Sequence, residues 1–124
     1  MGISFRIKIA ICLSLLHTLH IMSIKNPLPR SAYQRNAETY KILANPKRLE
    51  ILNLLREQEM AVQDLVTTLK ISKANVSQHL ALLRNERLVT VRRDGLKAYY
   101  SIVDPRIVEP CRILYELFRK STVE

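Results

Sequence analysis

A chain of 124 residues has room for one domain and one core, and 48% hydrophobic residues are enough to build that core. Only two glycines and no tryptophan argue against a glycine-rich phosphate-binding enzyme and against a turn-rich all-β fold. The 20 Lys+Arg against 11 Asp+Glu, formally +9, suit a polyanionic partner, either nucleic acid or an acidic membrane surface.

Residues 1–24 stand apart from the rest. Arg6 and Lys8 precede an apolar run over residues 9–16, which His17 and His20 follow, with no acidic residue. Three readings stay open. The segment imitates a signal peptide or membrane anchor, but it has no small-x-small cleavage site and falls short of the ~20 apolar residues of a spanning helix. A second reading is an extra helix. The third, preferred, is that translation starts at Met22, because Met22-Ser23-Ile24-Lys25 opens like a cytosolic chain with a short polar arm. Gly2 is followed by Arg6 where a myristoylation signal wants Ser or Thr. Residues 25–32 read as a linker, since Pro27 and Pro29 prevent a continuous helix, and residues 33–120 as the folded domain.

Residues 33–43 are expected to form a first helix. Asn45 then caps a second, with Pro46 in its first turn, where a missing N–H costs nothing. Its stripe of Leu49, Ile51, Leu52, Leu54 and Leu55 is broad enough to put that helix at the centre of the core. Val62, Leu65, Val66 and Leu69 recur at i, i+3, i+4 and i+7 and define a third helix. After a short turn at Lys70-Ile71, Ser72 caps a fourth, reaching about Arg84 with Val76, Leu80 and Leu83 inward. Two short helices across a tight turn make a helix-turn-helix unit. Leu88-Val89-Thr90-Val91 and Ala98-Tyr99-Tyr100-Ser101-Ile102 read as strands, and Asp94-Gly95 between them signals a tight hairpin. A last helix starts at Pro105 or Pro110 and ends near Lys120. Because Pro110 would break an intrahelical bond, residues 105–109 can form a separate first turn. The expected fold is mainly α with a β-hairpin wing, a winged helix-turn-helix in the order α-α-α-α-β-β-α.

Charge and small polar residues concentrate in the same stretch. From Lys70 to Tyr100 seven basic side chains face only Glu86 and Asp94. A solvated basic face would explain that charge alone, so the fourth helix decides. Opposite its apolar stripe it carries Ala74, Gln78 and Ala81, flanked by Asn75 and Ser77. Alanines let a backbone approach closely, an amide can pair bidentately with adenine, and an alanine methyl can meet the methyl of thymine. Ser72, Lys73 and the helix N-terminus offer donors to a phosphate. Arg92, Arg93 and Lys97 surround the hairpin tip, where a basic wing can lie on the backbone or in the minor groove beside the helix.

The run Leu43-Ala44-Asn45-Pro46-Lys47-Arg48-Leu49-Glu50-Ile51-Leu52 resembles the ArsR-type (ArsR/SmtB) winged-helix regulators. So does Ser72-Lys73-Ala74-Asn75-Val76-Ser77-Gln78-His79-Leu80-Ala81-Leu82-Leu83-Arg84, followed by Leu88-Val89 and the Arg93-Asp94-Gly95 wing. The likeness covers about residues 33–118. It implies a homodimer joined through the first and last helices, bound to double-stranded DNA at an imperfect inverted repeat, most simply as a repressor. It carries the family's DNA contacts to Lys73, Asn75, Ser77, Gln78 and His79, with Arg92 and Arg93 in the wing.

The family's metal ligands are not matched. Ala61 and Gln63 stand where thiolates would, and Arg106 takes the ligand position after Asp104, leaving no soft set for a thiophilic ion. Neither metal nor other cofactor is expected, and an effector other than a metal would release the operator. Cys12 and Cys111 form no disulfide or metal pattern and suit a reducing, cytoplasmic setting. Cys111 lies on the stripe Val108, Cys111, Tyr115, Phe118, expected in the core or at the dimer seam. It reads either as a small buried hydrophobe or as a redox switch. No carboxylate pair, nucleophile-base pairing or phosphate loop suggests an enzyme or a small-molecule substrate. Two other classes are a membrane-tethered basic protein using residues 1–24, and a winged-helix protein-interaction module. The second would have no need of Ala74, Gln78 and Ala81 beside a basic wing.

Overall fold

The computed structural model describes residues 6–13, 15 and 27–121. The chain divides into two compact units, residues 1–34 and residues 35–124. In the first unit, residues 6–13 and 15 are helical and exposed. The proposed start at Met22 lies outside the described residues. Among the described residues no helix is long and apolar enough to cross a membrane.

Helix α1 (Arg30–Leu43) starts three residues before the expected position. Proline stops a helix only from behind, and the chain turns directly after Pro29, whose carbonyl accepts from Ala32 N at 2.9 Å. Arg30, Ser31 and Ala32, read from sequence as linker, are therefore helical.

Helix α2 (Pro46–Glu57) begins as its sequence requires. The Asn45 side chain accepts from Arg48 N at 3.1 Å, and Pro46 sits in the first turn. Ile51, Leu52 and Leu55 are buried, and Leu54 packs against the core from its margin. Arg48 also donates from Nε to the carbonyl of Ile42. That carbonyl belongs to the last turn of α1, where no further helical N–H follows to bond it, so one side chain joins the two helices.

A strand that sequence analysis missed follows. Strand β1 (Met60–Ala61) is two residues long and leads into α3 (Val62–Leu69). Lys70 closes α3 with a left-handed φ of 53° and donates its N–H to Val66 O. Helix α4 (Lys73–Asn85) is capped by Ser72, whose hydroxyl oxygen accepts from Asn75 N at 3.2 Å. Its Val76, Leu80 and Leu83 are buried, as their spacing predicts.

The end of α4 is a complete left-handed cap. Arg87 has φ 60°, Leu88 N donates to Leu83 O and Arg87 N to Arg84 O, each at 2.9 Å. That bond pair is the Schellman arrangement, and Leu83 and Leu88 are both buried, as its hydrophobic contact requires.

Strands β2 (Val89–Asp94) and β3 (Lys97–Ile102) form the hairpin, and β1 adds antiparallel to β3, giving the order β1-β3-β2. The register pairs Asp94 with Lys97, so the two central turn residues are Gly95 and Leu96. Gly95 has φ +59° at the first of them, where a primed hairpin turn needs glycine. Asp94, expected within the loop, belongs to the strand. Val89, Val91 and Arg93 share one face with Ile102, Tyr100 and Ala98. Thr90, Arg92 and Asp94 share the other with Ser101, Tyr99 and Lys97. Val89 is buried, and Tyr100 and Ile102 pack against the core, so the first face is the inner one.

After β3, Asp104 caps a 3-10 turn (Pro105–Val108) and accepts from Arg106 N at 2.9 Å. Helix α5 (Glu109–Ser121) then begins, with Pro110 in its first turn. The break expected from the two prolines is present. Only the inner end of the last stripe is core: Val108 is buried and Cys111 packs against the cluster, while Tyr115 and Phe118 are 67% and 64% exposed.

Candidate nucleic-acid interface

The outer face of α4 is what its projection predicts. Ala74, Asn75, Ser77, Gln78 and Ala81 are all exposed. Among the described residues the side chains of Gln78 and Lys73 have no hydrogen bond or ion pair. The Ser72 oxygen accepts the cap bond, but its hydroxyl proton is left to donate.

His79 is placed differently from its neighbours. It is partly buried on the flank of α4, and its pKa is pushed down by burial and by the nearby Arg48 guanidinium. Both effects disfavour its protonated form.

The wing brings its three basic residues to one end of the sheet and uses them unequally. Arg92 is engaged. Its Nη2 donates to Glu59 Oε1 at 2.6 Å, its Nε to Glu59 Oε2 at 3.4 Å, and its guanidinium lies 4.7 Å from the centroid of the Tyr99 ring. The Arg92 bond in turn holds Glu59 below the usual carboxylate range. Arg93 and Lys97 are exposed and have no ion pair among the described residues. Glu59 is the participant that sequence reasoning missed.

An open groove of about 420 Å³ separates the start of α4 from the wing. Its lining joins Lys73 of α4, Gln63 and Asp64 of α3, and Leu96 to Tyr99 of β3 and its turn, Lys97 among them. Two lysines thus line one groove, Asp64 among the residues they share it with, beside the exposed Asn75, Ser77 and Gln78.

The family's metal positions do not fit a metal here. Ala61 lies in β1 and Gln63 in the first turn of α3, neither supplying a thiolate. The Asp104 carboxylate is held by Arg106, with Nη2 to Oδ2 at 2.6 Å, which depresses its pKa to about 2. Among the described residues no three His, Cys, Asp or Glu side chains cluster as ligands.

The model of the bacterial regulatory proteins of the arsR family matches residues 45–91, from the cap of α2 through the first half of β2. A transcriptional repressor SmtB homolog from Synechocystis sp. is 38% identical over 88 residues, 71% of this chain and 67% of that protein. The chain belongs to the arsR family of bacterial regulatory proteins. The transcriptional activator HlyU of Vibrio cholerae is 33% identical over 63% of this chain and 72% of its own. Its solved structure superposes with a TM-score of 0.64 at 29% identity, covering 73% of this chain and 98% of that one. A homodimeric winged helix-turn-helix DNA-binding domain from Mycobacterium bovis gives a TM-score of 0.67 at 25% identity, over 81% and 98% of the two chains. This arsR-family chain is accordingly a transcriptional regulator with a winged helix-turn-helix, and not an enzyme.

Proposed function

We propose that the chain is a homodimeric, cytoplasmic repressor that places α4 in the major groove of an inverted-repeat operator and rests its wing on the adjoining backbone. The exposed Ala74-Asn75-Ser77-Gln78-Ala81 face beside the Lys73 and Lys97 groove carries this reading. Gln78, Asn75 and Ser77 face base edges and the adjoining strand, Ser72 and Lys73 hold phosphates at the helix start, and Arg93 and Lys97 meet the backbone from the wing. His79, a DNA contact in the family resemblance, sits partly buried on the flank of α4 beside that face.

Dimerisation is supported by the apolar surface of α5. Ile113, Leu114, Tyr115, Leu117 and Phe118 are each about half exposed or more, an amount of apolar surface that a second copy would cover. Tyr40 of α1, 62% exposed, borders the cleft that α1 forms with the start of α5, which fits a seam through the first and last helices. Operator release by an effector other than a metal is supported by Ala61, Gln63 and the Asp104–Arg106 pair. Cys111, half out of the core at the base of α5, would be the point of attack if the effector is an oxidant.

Selecting bound fragments from a pool of random duplexes tests the reading. Enrichment of an inverted repeat supports it, and recovery of unselected sequence rejects it.

A further inference from the structure

Arg92 starts on β2, crosses the ring of Tyr99 on β3 and ends on Glu59, the residue before β1. One side chain thus spans all three strands, on the sheet face turned away from the core. Its fork meets both carboxylate oxygens of Glu59, and Asp94 stands 3.9 Å from Nη1. Two costs weigh against Arg92 leaving for DNA. A phosphate would replace an anion already bound, and Glu59 would be left uncompensated beside a polyanion. The wing, by contrast, needs such a brace. A two-stranded ribbon twists freely, and β1 secures it through only two residue pairs, Met60 with Tyr100 and Ala61 with Tyr99.

We infer that Arg92 is a strut fixing the angle of the wing, with Glu59 as its anchor and Tyr99 as its bearing, and not a DNA contact. The inference rests on the DNA-binding reading above and divides the basic wing by role. Arg93 and Lys97 supply the charge, and Arg92 positions them.

The two roles differ in sign and in salt dependence. Affinity of the full chain for a labelled random-sequence duplex is measured by anisotropy across a salt series. Arg93→Gln with Lys97→Gln should flatten the log affinity against log salt plot by about 0.9 for each phosphate no longer neutralised. Arg92→Gln should keep the wild-type slope and weaken binding roughly two- to fivefold, the scale of an exposed ion pair. Arg92→Lys should fail like Arg92→Gln, because an ammonium cannot form the fork and the stack together. Glu59→Gln should also weaken binding, although it removes a negative charge, and the exchanged pair Glu59→Arg with Arg92→Glu should recover part of the loss. Independently of DNA, amide exchange in β1 and β3 should quicken in Arg92→Lys and Glu59→Gln.

A flattened slope in Arg92→Gln with wild-type behaviour in Arg92→Lys would make Arg92 a phosphate contact. Tighter binding by Glu59→Gln would make Glu59 a competitor of DNA. Unchanged exchange in β1 and β3 would remove the strut altogether. Absence of salt-dependent binding by the wild-type chain would overturn the DNA-binding reading itself, and the strut's role with it, whatever the exchange data show.

Discussion

Gln78 and His79 are adjacent on α4 yet belong to different environments, because one residue advances a helix by about 100°. Gln78 faces outward without a partner among the described residues, so its amide is free to pair with a base edge. Gln78→Ala should cost about 1–3 kcal/mol and relax preference at one operator position per half-site. A uniform loss on all duplexes would make it a phosphate contact. His79 makes a different prediction. Its folded pKa is depressed, so the unfolded chain takes up the proton more readily. The stability tied to its neutral form is complete above the ordinary histidine range and declines as pH falls through it. Thermal melts from about pH 7.5 to about pH 5 should therefore fall more steeply for wild type than for His79→Gln. Parallel profiles would mean His79 is solvated and available to DNA. The resemblance placed His79 among the contacts because its position in the motif is shared. Its environment includes Arg48, far back in the sequence on α2, and no local pattern announces that.

At the scale of elements, helices α2, α3 and α4 were legible because each has its own punctuation: Asn45-Pro46, Ser72, and the apolar spacing of Val62 to Leu69 and Val76 to Leu83. Strand β1 was not, since two residues offer no alternation to read. With β1 missing, Glu59 could not be matched to Arg92, 33 residues away. The left-handed caps were also hidden. Glycine marks such positions, and Lys70 and Arg87 occupy them here. A non-glycine in that conformation carries roughly 1–2 kcal/mol of strain, partly offset because it restricts the unfolded chain. Arg87→Gly should therefore leave stability unchanged or raise it by up to about 1 kcal/mol in denaturant melts. A clear loss would show that the Arg87 side chain contributes contacts of its own. The opposite sign is expected at the start of α2, where Asn45→Ala should cost about 0.5–2 kcal/mol through its missing cap bond.

At the scale of the molecule, the core and the recognition face lie on opposite sides of the same helix. The fold therefore anchors α4 by its buried stripe and leaves its other face exposed beside the wing. The polar face of α4 was legible in advance, because a helix with Val76, Leu80 and Leu83 inward must turn Ala74, Gln78 and Ala81 outward. The split of α5 was legible as well, from Pro105 and Pro110. What could not be read was that Tyr115 and Phe118 would be left outside the core, since an apolar stripe looks the same whether its own domain or a second copy covers it. Replacing Tyr115 with Glu should dissociate the dimer in sedimentation and lower operator affinity by more than about tenfold, with the fold of the domain intact. A variant that stays dimeric would move the seam away from α5.

The proposed function depends on two copies of α4 reading one symmetric site. Footprinting the purified chain on its selected operator tests this most directly. The expected result is two protected half-sites on one face of the duplex, with centres about 34–36 Å or one helical turn apart, or a whole multiple of that spacing. Gln78→Ala should then relax one symmetric pair of positions and leave the spacing unchanged. Protection of a single unrepeated site, or footprints without sequence preference, would contradict a symmetric dimer reading through α4.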